Sequence, residues 1–114
     1  MITIKGIDPK MIANNLEPSE PTHPGELIKE EIEYRGISQK KLAQETGISY
    51  KVLNDILNGR RPFTANTALL VEAALGIPAH ILTWLQMDYN MQTAKQDKSF
   101  MERLASIRKI AALL

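Results

Sequence analysis

Four polar residues stand close together near the middle of the chain: Ser49, Tyr50, Lys51 and Asn54. An asparagine amide can pair with adenine, a lysine can donate to the acceptors of guanine, and a tyrosine ring can contact a thymine methyl group. If residues 49–57 form one helix, Tyr50, Lys51 and Asn54 share its outward face near the N-terminal half. Ser49 would cap that helix and could still reach a phosphate. These residue types at this spacing predict direct contact with base edges in the major groove of DNA.

A second group of polar and basic residues flanks the predicted helix and is suited to phosphate binding. Its members are Gln39, Lys40, Asn58, Arg60, Arg61 and Thr64. Residues 38–61 contain five Lys or Arg and two Asp or Glu, a local net charge of +3, whereas the whole chain carries +1. A compact basic segment of this kind attracts the DNA backbone, and a helix N-terminus near Thr64 would add to the attraction. We expect Asp55, the acidic residue within the predicted helix, to face sideways.

These side chains need a rigid support, and the surrounding sequence predicts a helix-turn-helix over about residues 39–58. Ala43 is small where the second helix has to cross the first, and Gly47 tolerates the positive φ that the turn requires. Apolar residues follow at the positions that face inward: Leu42, Ile48, Leu53 and Ile56. The joint pattern is more specific than any one of its residues.

Capping and stop signals predict further helices around this unit. One begins at Pro24 and ends at Arg35-Gly36, one covers residues 65–75, and another begins near Ala79. Ser99 opens a last helix after a polar stretch, Gln92 to Lys98. The fold class is therefore all-α: about five helices, an extra C-terminal helix and an extended N-terminal arm. Within the arm, a short helix could begin at Asp8 and a strand could cover Met1 to Lys5.

The last predicted helix carries an apolar seam with alternating four- and three-residue spacing: Phe100, Leu104, Ile107, Ala111 and Leu114. About two heptads are too few for an independent coiled coil, so the seam has to pack on something. We predict that it forms a dimer contact; folding back on the chain's own core is the alternative. We divide the chain into an arm (1–22), a DNA-binding domain (23–92) and a C-terminal helix for dimerisation or partner contact (93–114).

Composition argues against several other classes of protein. The chain has no cysteine and two distant histidines, His23 and His80, so we predict no metal and no cofactor. No paired carboxylates, nucleophile elbow or phosphate-binding glycine loop occur at usable spacing, so we predict no enzymatic activity. No apolar run is long enough for a membrane span, and the first ten residues lack the apolar stretch of a signal peptide, which favours a cytoplasmic location. We expect His23 at a helix start and Trp84 as a core residue or interface anchor.

The predicted helix-turn-helix resembles the lambda-repressor-like group, also called the XRE group, over about residues 24–78. Three further features are His23-Pro24-Gly25-Glu26, Asn58-Gly59-Arg60-Arg61-Pro62, and Leu85-Gln86 followed by Tyr89. Together, over roughly residues 22–92, the chain resembles the HigA family of antitoxins from bacterial toxin–antitoxin modules. One departure is that Trp84 directly precedes Leu85, whereas the family usually has its tryptophan where this chain has Leu82. The shift moves the indole to another face of the helix.

This resemblance implies a homodimer that binds a palindromic operator, represses its own operon and binds a HigB-type toxin. That toxin class resembles RelE and cleaves mRNA on the ribosome. The arm, Met1 to Pro21, is a candidate toxin contact because it lies outside the DNA-reading unit. Two other interpretations stay open from the sequence: a phage- or stress-type repressor without a toxin, and a protein-interaction adaptor that uses the same fold without DNA.

Overall fold

A computed structural model describes residues 21–114 of the chain, and within this range it is built of six helices and no strands. They are α1 (Pro24–Arg35), α2 (Gln39–Thr46), α3 (Tyr50–Leu57), α4 (Ala65–Leu75), α5 (Ala79–Lys95) and α6 (Lys98–Ala111). The all-α prediction is therefore confirmed. Residues 1–20 of the predicted arm, with its possible strand at Met1 to Lys5 and helix from Asp8, lie outside the described residues.

Each of the first four helices begins directly after a residue whose side chain caps its first turn. Oxygen atoms of Ser38, Ser49 and Thr64 accept hydrogen bonds from backbone N–H groups at the starts of α2, α3 and α4, at 3.0, 3.2 and 3.2 Å. At the start of α1 the cap is a histidine: Nδ1 of His23 accepts from the backbone N–H of Gly25 at 2.9 Å. These bonds satisfy donors that the first turn of a helix leaves without a partner. The predicted helix starts are thereby confirmed.

The core of residues 22–91 is built from the inward faces of α1 to α5. Its fully buried side chains include the predicted framework residues Leu42, Leu53 and Ile56, together with Ile28 from α1, Val71 from α4 and Leu82 from α5. Ala43 is buried as predicted, whereas Ile48 packs at the edge of the core and is only partly buried. Burial of this apolar surface is the main stabilising contribution to the unit.

The tryptophan is not part of this core. Trp84 is 66% exposed, while Leu82, two residues before it, is fully buried with Ala79 and Gln86 on the same face of α5. The core alternative for Trp84 is therefore wrong, whereas the interface-anchor alternative stays a prediction. The reason is helical geometry, since two residues along a helix change the direction of a side chain by more than a right angle.

The chain beyond the core differs from prediction at two points. α5 continues to Lys95, so four of the residues assigned to a polar break are helical. This stretch contains glutamine, alanine and lysine but no glycine or proline, and such residues continue a helix readily. The last helix begins at Lys98 with Asp97 as its cap, not at Ser99, and it ends at Ala111, so Leu114 lies beyond it.

The backbone separates into two compact units. Residues 22–91 form one, and residues 92–114 belong to the other. In α6 no residue is buried, and Phe100 and Ile107 of the predicted seam are 43% and 51% exposed. Across residues 21–114 no helix is both long and apolar enough to cross a membrane.

Candidate nucleic-acid interface

The turn between α2 and α3 is fixed by Gly47 and by a buried threonine. Gly47 has a φ of 76°, the left-handed conformation that glycine adopts without steric cost. The hydroxyl of Thr46 donates to the carbonyl oxygen of Leu42 at 2.8 Å and accepts from the backbone N–H of Ile48 at 3.3 Å. Thr46 thus links the last turn of α2 to the start of the loop. Its role was not predicted, because no local sequence signal distinguishes it from a solvated threonine.

α3, which we call the recognition helix, presents part of its surface outward. Leu53, Ile56 and Leu57 form its buried face. Of the residues predicted to contact bases, Ser49, Tyr50 and Lys51 are exposed at its N-terminal end, with Tyr50 54% exposed. Asn54, one turn further on, is half-buried. The structure therefore places Ser49, Tyr50 and Lys51 at the N-terminal end of the recognition helix and Asn54 near its middle.

The amide of Asn54 is held at both ends by residues from the predicted phosphate-binding group. Its Nδ2 donates to Oε1 of Gln39, the first residue of α2, at 2.9 Å. Its Oδ1 accepts from an Nη atom of Arg60, in the loop after α3, at 3.0 Å. An amide with both ends engaged has a fixed orientation, and an amide of fixed orientation can discriminate a donor from an acceptor on a base edge.

The sequence predicts only that Asp55 faces sideways. In the structure its carboxylate also binds two arginines. Its Oδ1 accepts from Nε of Arg60 at 3.1 Å and its Oδ2 accepts from Nε of Arg61 at 3.3 Å. These hydrogen bonds, and the positive charges behind them, hold the pKa of Asp55 below its usual value. The carboxylate therefore stays ionised and keeps both guanidinium groups beside the recognition helix.

The C-terminal end of the recognition helix is tied to α1. Nζ of Lys29 donates to Oδ1 of Asn58 at 2.7 Å, and Nδ2 of Asn58 donates to the carbonyl oxygen of Asn54 at 2.8 Å. Sequence reasoning missed Lys29, because it lies in a predominantly acidic segment and nothing in its neighbourhood indicates contact with residue 58. Two other predicted phosphate contacts, Lys40 and Thr64, are exposed at the starts of α2 and α4.

An aromatic cluster, in which His23 and Phe63 are buried and Tyr89 is partly buried, supports the loop that carries Arg60 and Arg61. The ring of His23 lies edge-on to Tyr89, with centroids 4.9 Å apart, and nearly parallel to Phe63 at 6.5 Å. It is also hydrogen-bonded to the backbone of Arg61. Burial lowers the pKa of His23, against the opposing effects of that hydrogen bond and of Glu26. The neutral ring can therefore accept from Gly25 and hold the loop at the same time.

Two further residues, Gln86 and Gly25, complete this support. The side-chain carbonyl of Gln86 accepts from the backbone N–H of Phe63 at 2.9 Å, and its amide donates to Asn90 at 3.0 Å. Gly25 lies so close to the recognition helix that a Cβ atom there would collide with the carbonyl oxygen of Ile56. The three sequence features around His23, Gly59 and Gln86 thus meet in space behind the recognition helix. Within residues 21–114 no group of three acidic or histidine side chains is placed to hold a metal ion.

Comparison with known proteins agrees with this geometry. The Helix-turn-helix family model matches residues 28–82. Virulence-associated protein I of Dichelobacter nodosus is 37% identical over 79 residues, which cover 67% of this chain and 71% of that protein. An addiction module antidote protein of the HigA family from Coxiella burnetii is 32% identical, with a TM-score of 0.66 over 74% of this chain and 94% of its own. The chain belongs to the HigA family.

A second HigA structure bears on the interface. The antitoxin HigA of Pseudomonas aeruginosa, solved with the higBA promoter, is 28% identical to this HigA-family chain. The two superpose with a TM-score of 0.66 over 70% of this chain and 88% of the Pseudomonas protein. The lambda-repressor-like fold and the HigA resemblance predicted from the sequence are both confirmed by these matches.

Proposed function

We propose that this HigA-family chain is a sequence-specific DNA-binding repressor that acts as an antitoxin and regulates its own operon. The observation that carries the proposal is the recognition helix, with an exposed N-terminal end and an Asn54 amide oriented from two sides. A helix supported in this way can enter the major groove without first ordering its central side chain. The structure of Pseudomonas aeruginosa HigA with the higBA promoter supports a DNA-binding function for this chain.

In this proposal the two predicted groups of residues have different tasks. Base edges are contacted by Ser49, Tyr50, Lys51 and Asn54. Phosphates are contacted by Gln39, Lys40, Asn58, Arg60, Arg61 and Thr64. The phosphate contacts supply affinity that depends on salt and set the position of the helix, whereas the base contacts supply sequence preference. None of these tasks requires a covalent step, so the protein would act as a binding protein and not as an enzyme.

Dimerisation is the next part of the proposal. A two-fold dimer places two recognition helices in successive major grooves of a palindromic operator, and the second helix then binds at high effective concentration. We assign the contact to a second copy of the chain through the α6 seam, formed by Phe100, Leu104, Ile107 and Ala111, with Leu114 just beyond the helix. The partial exposure of Phe100 and Ile107 leaves apolar surface for such a contact.

The second partner in this proposal is a HigB-type toxin, which the protein would neutralise in the cytoplasm. The N-terminal segment, Met1 to Pro21, is our candidate contact, since it lies outside the DNA-reading unit of the sequence. Co-purification of the full chain with the product of the neighbouring gene tests this part directly. We expect a stable complex that blocks mRNA cleavage in a translation extract. Cleavage that continues at saturating antitoxin would contradict antitoxin function and leave a repressor without a toxin.

DNA binding is tested separately. The full chain is titrated against a labelled duplex from upstream of its own gene and against a scrambled duplex of the same composition. Preference for the upstream duplex by at least about a thousandfold is expected for a specific site. Equal affinity for both duplexes would contradict the repressor proposal, and no measurable binding to either would leave an adaptor fold without a DNA function.

A further inference from the structure

We propose that Asp55 is a specificity-determining residue that restrains Arg60 and Arg61 and thereby limits the affinity of the protein for DNA of arbitrary sequence. The inference rests on the proposed function and adds to it a negatively charged residue in a surface otherwise suited to binding a polyanion. It is carried by the arrangement of one carboxylate, two guanidinium groups and one amide at the recognition helix.

The first observation is that the carboxylate of Asp55 binds both arginines, each through its Nε atom. Each of the two Asp55 oxygens accepts from an Nε, at 3.1 Å for Arg60 and 3.3 Å for Arg61. The Asp55 side chain is only 18% exposed, whereas the two arginine side chains are 60% and 51% exposed. The carboxylate is thus the sheltered, fixed member of the group, and the arginines are the members that reach solvent.

The second observation is that Arg60 is shared between Asp55 and Asn54. Its Nε donates to the carboxylate while its Nη2 donates to Oδ1 of Asn54 at 3.0 Å. Its backbone N–H also donates to the carbonyl oxygen of Asp55 at 2.7 Å. A planar guanidinium held at two of its nitrogens has a defined orientation. Asp55 therefore keeps Arg60 on the residue that we propose reads a base.

The consequence for binding follows from charge. Residues 38–61 carry a net charge of +3, and attraction to the DNA backbone grows with each unopposed cation because each phosphate contact releases counterions. Asp55 offsets part of the charge of the two arginines and keeps their side chains from following any phosphate that approaches. Without Asp55, both arginines would bind phosphates in DNA of any sequence, and Arg60 would lose its hydrogen bond to Asn54. The affinity for DNA of arbitrary sequence would then rise, while the preference for the operator would fall.

A surface ion pair on α1 provides a matched comparison. Oε1 of Glu31 accepts from Nε of Arg35 at 2.8 Å, so Glu31 also holds an arginine through Nε. The hydrogen bonds of Arg35 go to Glu31 and to the backbone of Leu75, not to Asn54 or Arg60. Glu31→Gln changes the net charge of the chain by the same amount as Asp55→Asn, but it leaves the recognition helix unaltered.

The test compares wild-type protein, Asp55→Asn and Glu31→Gln by fluorescence anisotropy on the upstream and scrambled duplexes, over a range of salt concentrations. We expect Asp55→Asn to bind the scrambled duplex about three- to tenfold more tightly and to steepen the slope of log affinity against log salt by about 1. We expect its preference for the upstream duplex to fall by at least about tenfold. Glu31→Gln should resemble the wild type in all three quantities.

The outcomes separate the two proposals. If wild-type protein prefers the upstream duplex and Asp55→Asn behaves like Glu31→Gln, Asp55 has no part in specificity and this inference is wrong while the proposed function stands. If wild-type protein shows no preference, the proposed function fails and this inference fails with it.

A measurement on wild-type protein alone covers the case in which Asp55→Asn is unstable. Hydrogen exchange at Nε should be slower for Arg60 and Arg61 than for Arg103, an exposed arginine of α6; equal rates would overturn the restraint.

Discussion

Asn54, on the recognition helix, donates a hydrogen bond to the side-chain oxygen of Gln39, the first residue of the preceding helix, at 2.9 Å. This bond joins a residue that we propose contacts bases to one that we propose contacts the backbone. The sequence separation is 15 residues, so the bond depends on the angle at which α2 and α3 cross. Orientation of the base-reading amide is therefore coupled to the helix-turn-helix framework itself.

The first prediction concerns Asn54 and Lys51, two of the residues that we propose contact bases. Asn54→Ala and Lys51→Ala should each weaken operator binding by about 1–3 kcal/mol and reduce sequence preference, because each removes a side chain from a base edge. Gln44→Ala is the control, since Gln44 is an exposed amide on α2 outside both proposed groups. Anisotropy titration at fixed salt measures all three variants. Unchanged affinity in both test variants would show that the recognition face is assigned wrongly.

A double-mutant cycle tests the coupling between Gln39 and Asn54. If Gln39 acts partly by orienting Asn54, the loss in operator binding caused by Gln39→Ala should be smaller when Asn54 is already alanine. A coupling free energy of about 0.5–3 kcal/mol is expected for residues in one hydrogen-bonded network. Additive losses, within error, would mean that Gln39 contacts the backbone independently of Asn54.

Gly25 provides a prediction about stability. Gly25→Ala should lower the free energy of unfolding by about 1–3 kcal/mol, although alanine favours a helix, because its Cβ would meet the backbone carbonyl of Ile56. Gly36→Ala is the matched comparison: its φ of 70° is unfavourable for alanine, but the surrounding space is open. We expect a cost of about 1–2 kcal/mol there. Urea unfolding measures both, and a stable Gly25→Ala that retains operator affinity would contradict the close approach of α1 to the recognition helix.

His23 predicts how stability depends on pH. Burial lowers the pKa of His23 below 6.5, so the folded chain binds fewer protons at this group than the unfolded chain does. Its contribution to stability is therefore complete above pH 6.5 and is lost as the pH falls from 6.5 through the lowered pKa of the folded state. His23→Gln should be less stable at neutral pH and should lose less stability on acidification than the wild type. Parallel profiles for the two proteins between about pH 5 and pH 8 would contradict the neutral cap.

The C-terminal seam predicts a change in oligomeric state. If the seam forms the proposed dimer contact, Ile107→Asp should dissociate the dimer and reduce operator affinity by at least about tenfold, since a single module loses the effective concentration of its partner. Ser106→Asp places the same charge on the neighbouring residue, which is exposed and outside the seam. Sedimentation equilibrium distinguishes the two variants. A dimer that survives Ile107→Asp would place the interface elsewhere.

Much of the framework could be predicted because its signals are local. Ser38, Ser49 and Thr64 cap helices through their own neighbouring backbone, and Gly47 marks a turn that needs a positive φ. The inward positions of Leu42, Leu53 and Ile56 follow from helical periodicity. These signals were sufficient for the order of the helices and for the position of the recognition helix.

The interactions of the candidate site could not be predicted in the same way. Gln39, Asn54 and Arg60 meet only because α2 crosses α3 at a particular angle and the following loop turns back. Lys29 reaches Asn58 only because α1 packs behind the recognition helix. Neither relationship has a local pattern. The end of α5 was misjudged for a different reason, since a polar sequence such as Gln92 to Lys95 is compatible with both a loop and an exposed helix.

The central claim is that the recognition helix reads sequence through Asn54, and its most direct test is DNase I footprinting on the promoter upstream of the chain's own gene. Wild-type protein and Gln44→Ala should protect one discrete palindromic site over the same range of concentrations. Asn54→Ala should require about 5- to 150-fold more protein for the same protection, the equivalent of about 1–3 kcal/mol. Equal protection by Asn54→Ala and the wild type, at the same site and concentrations, would contradict the account.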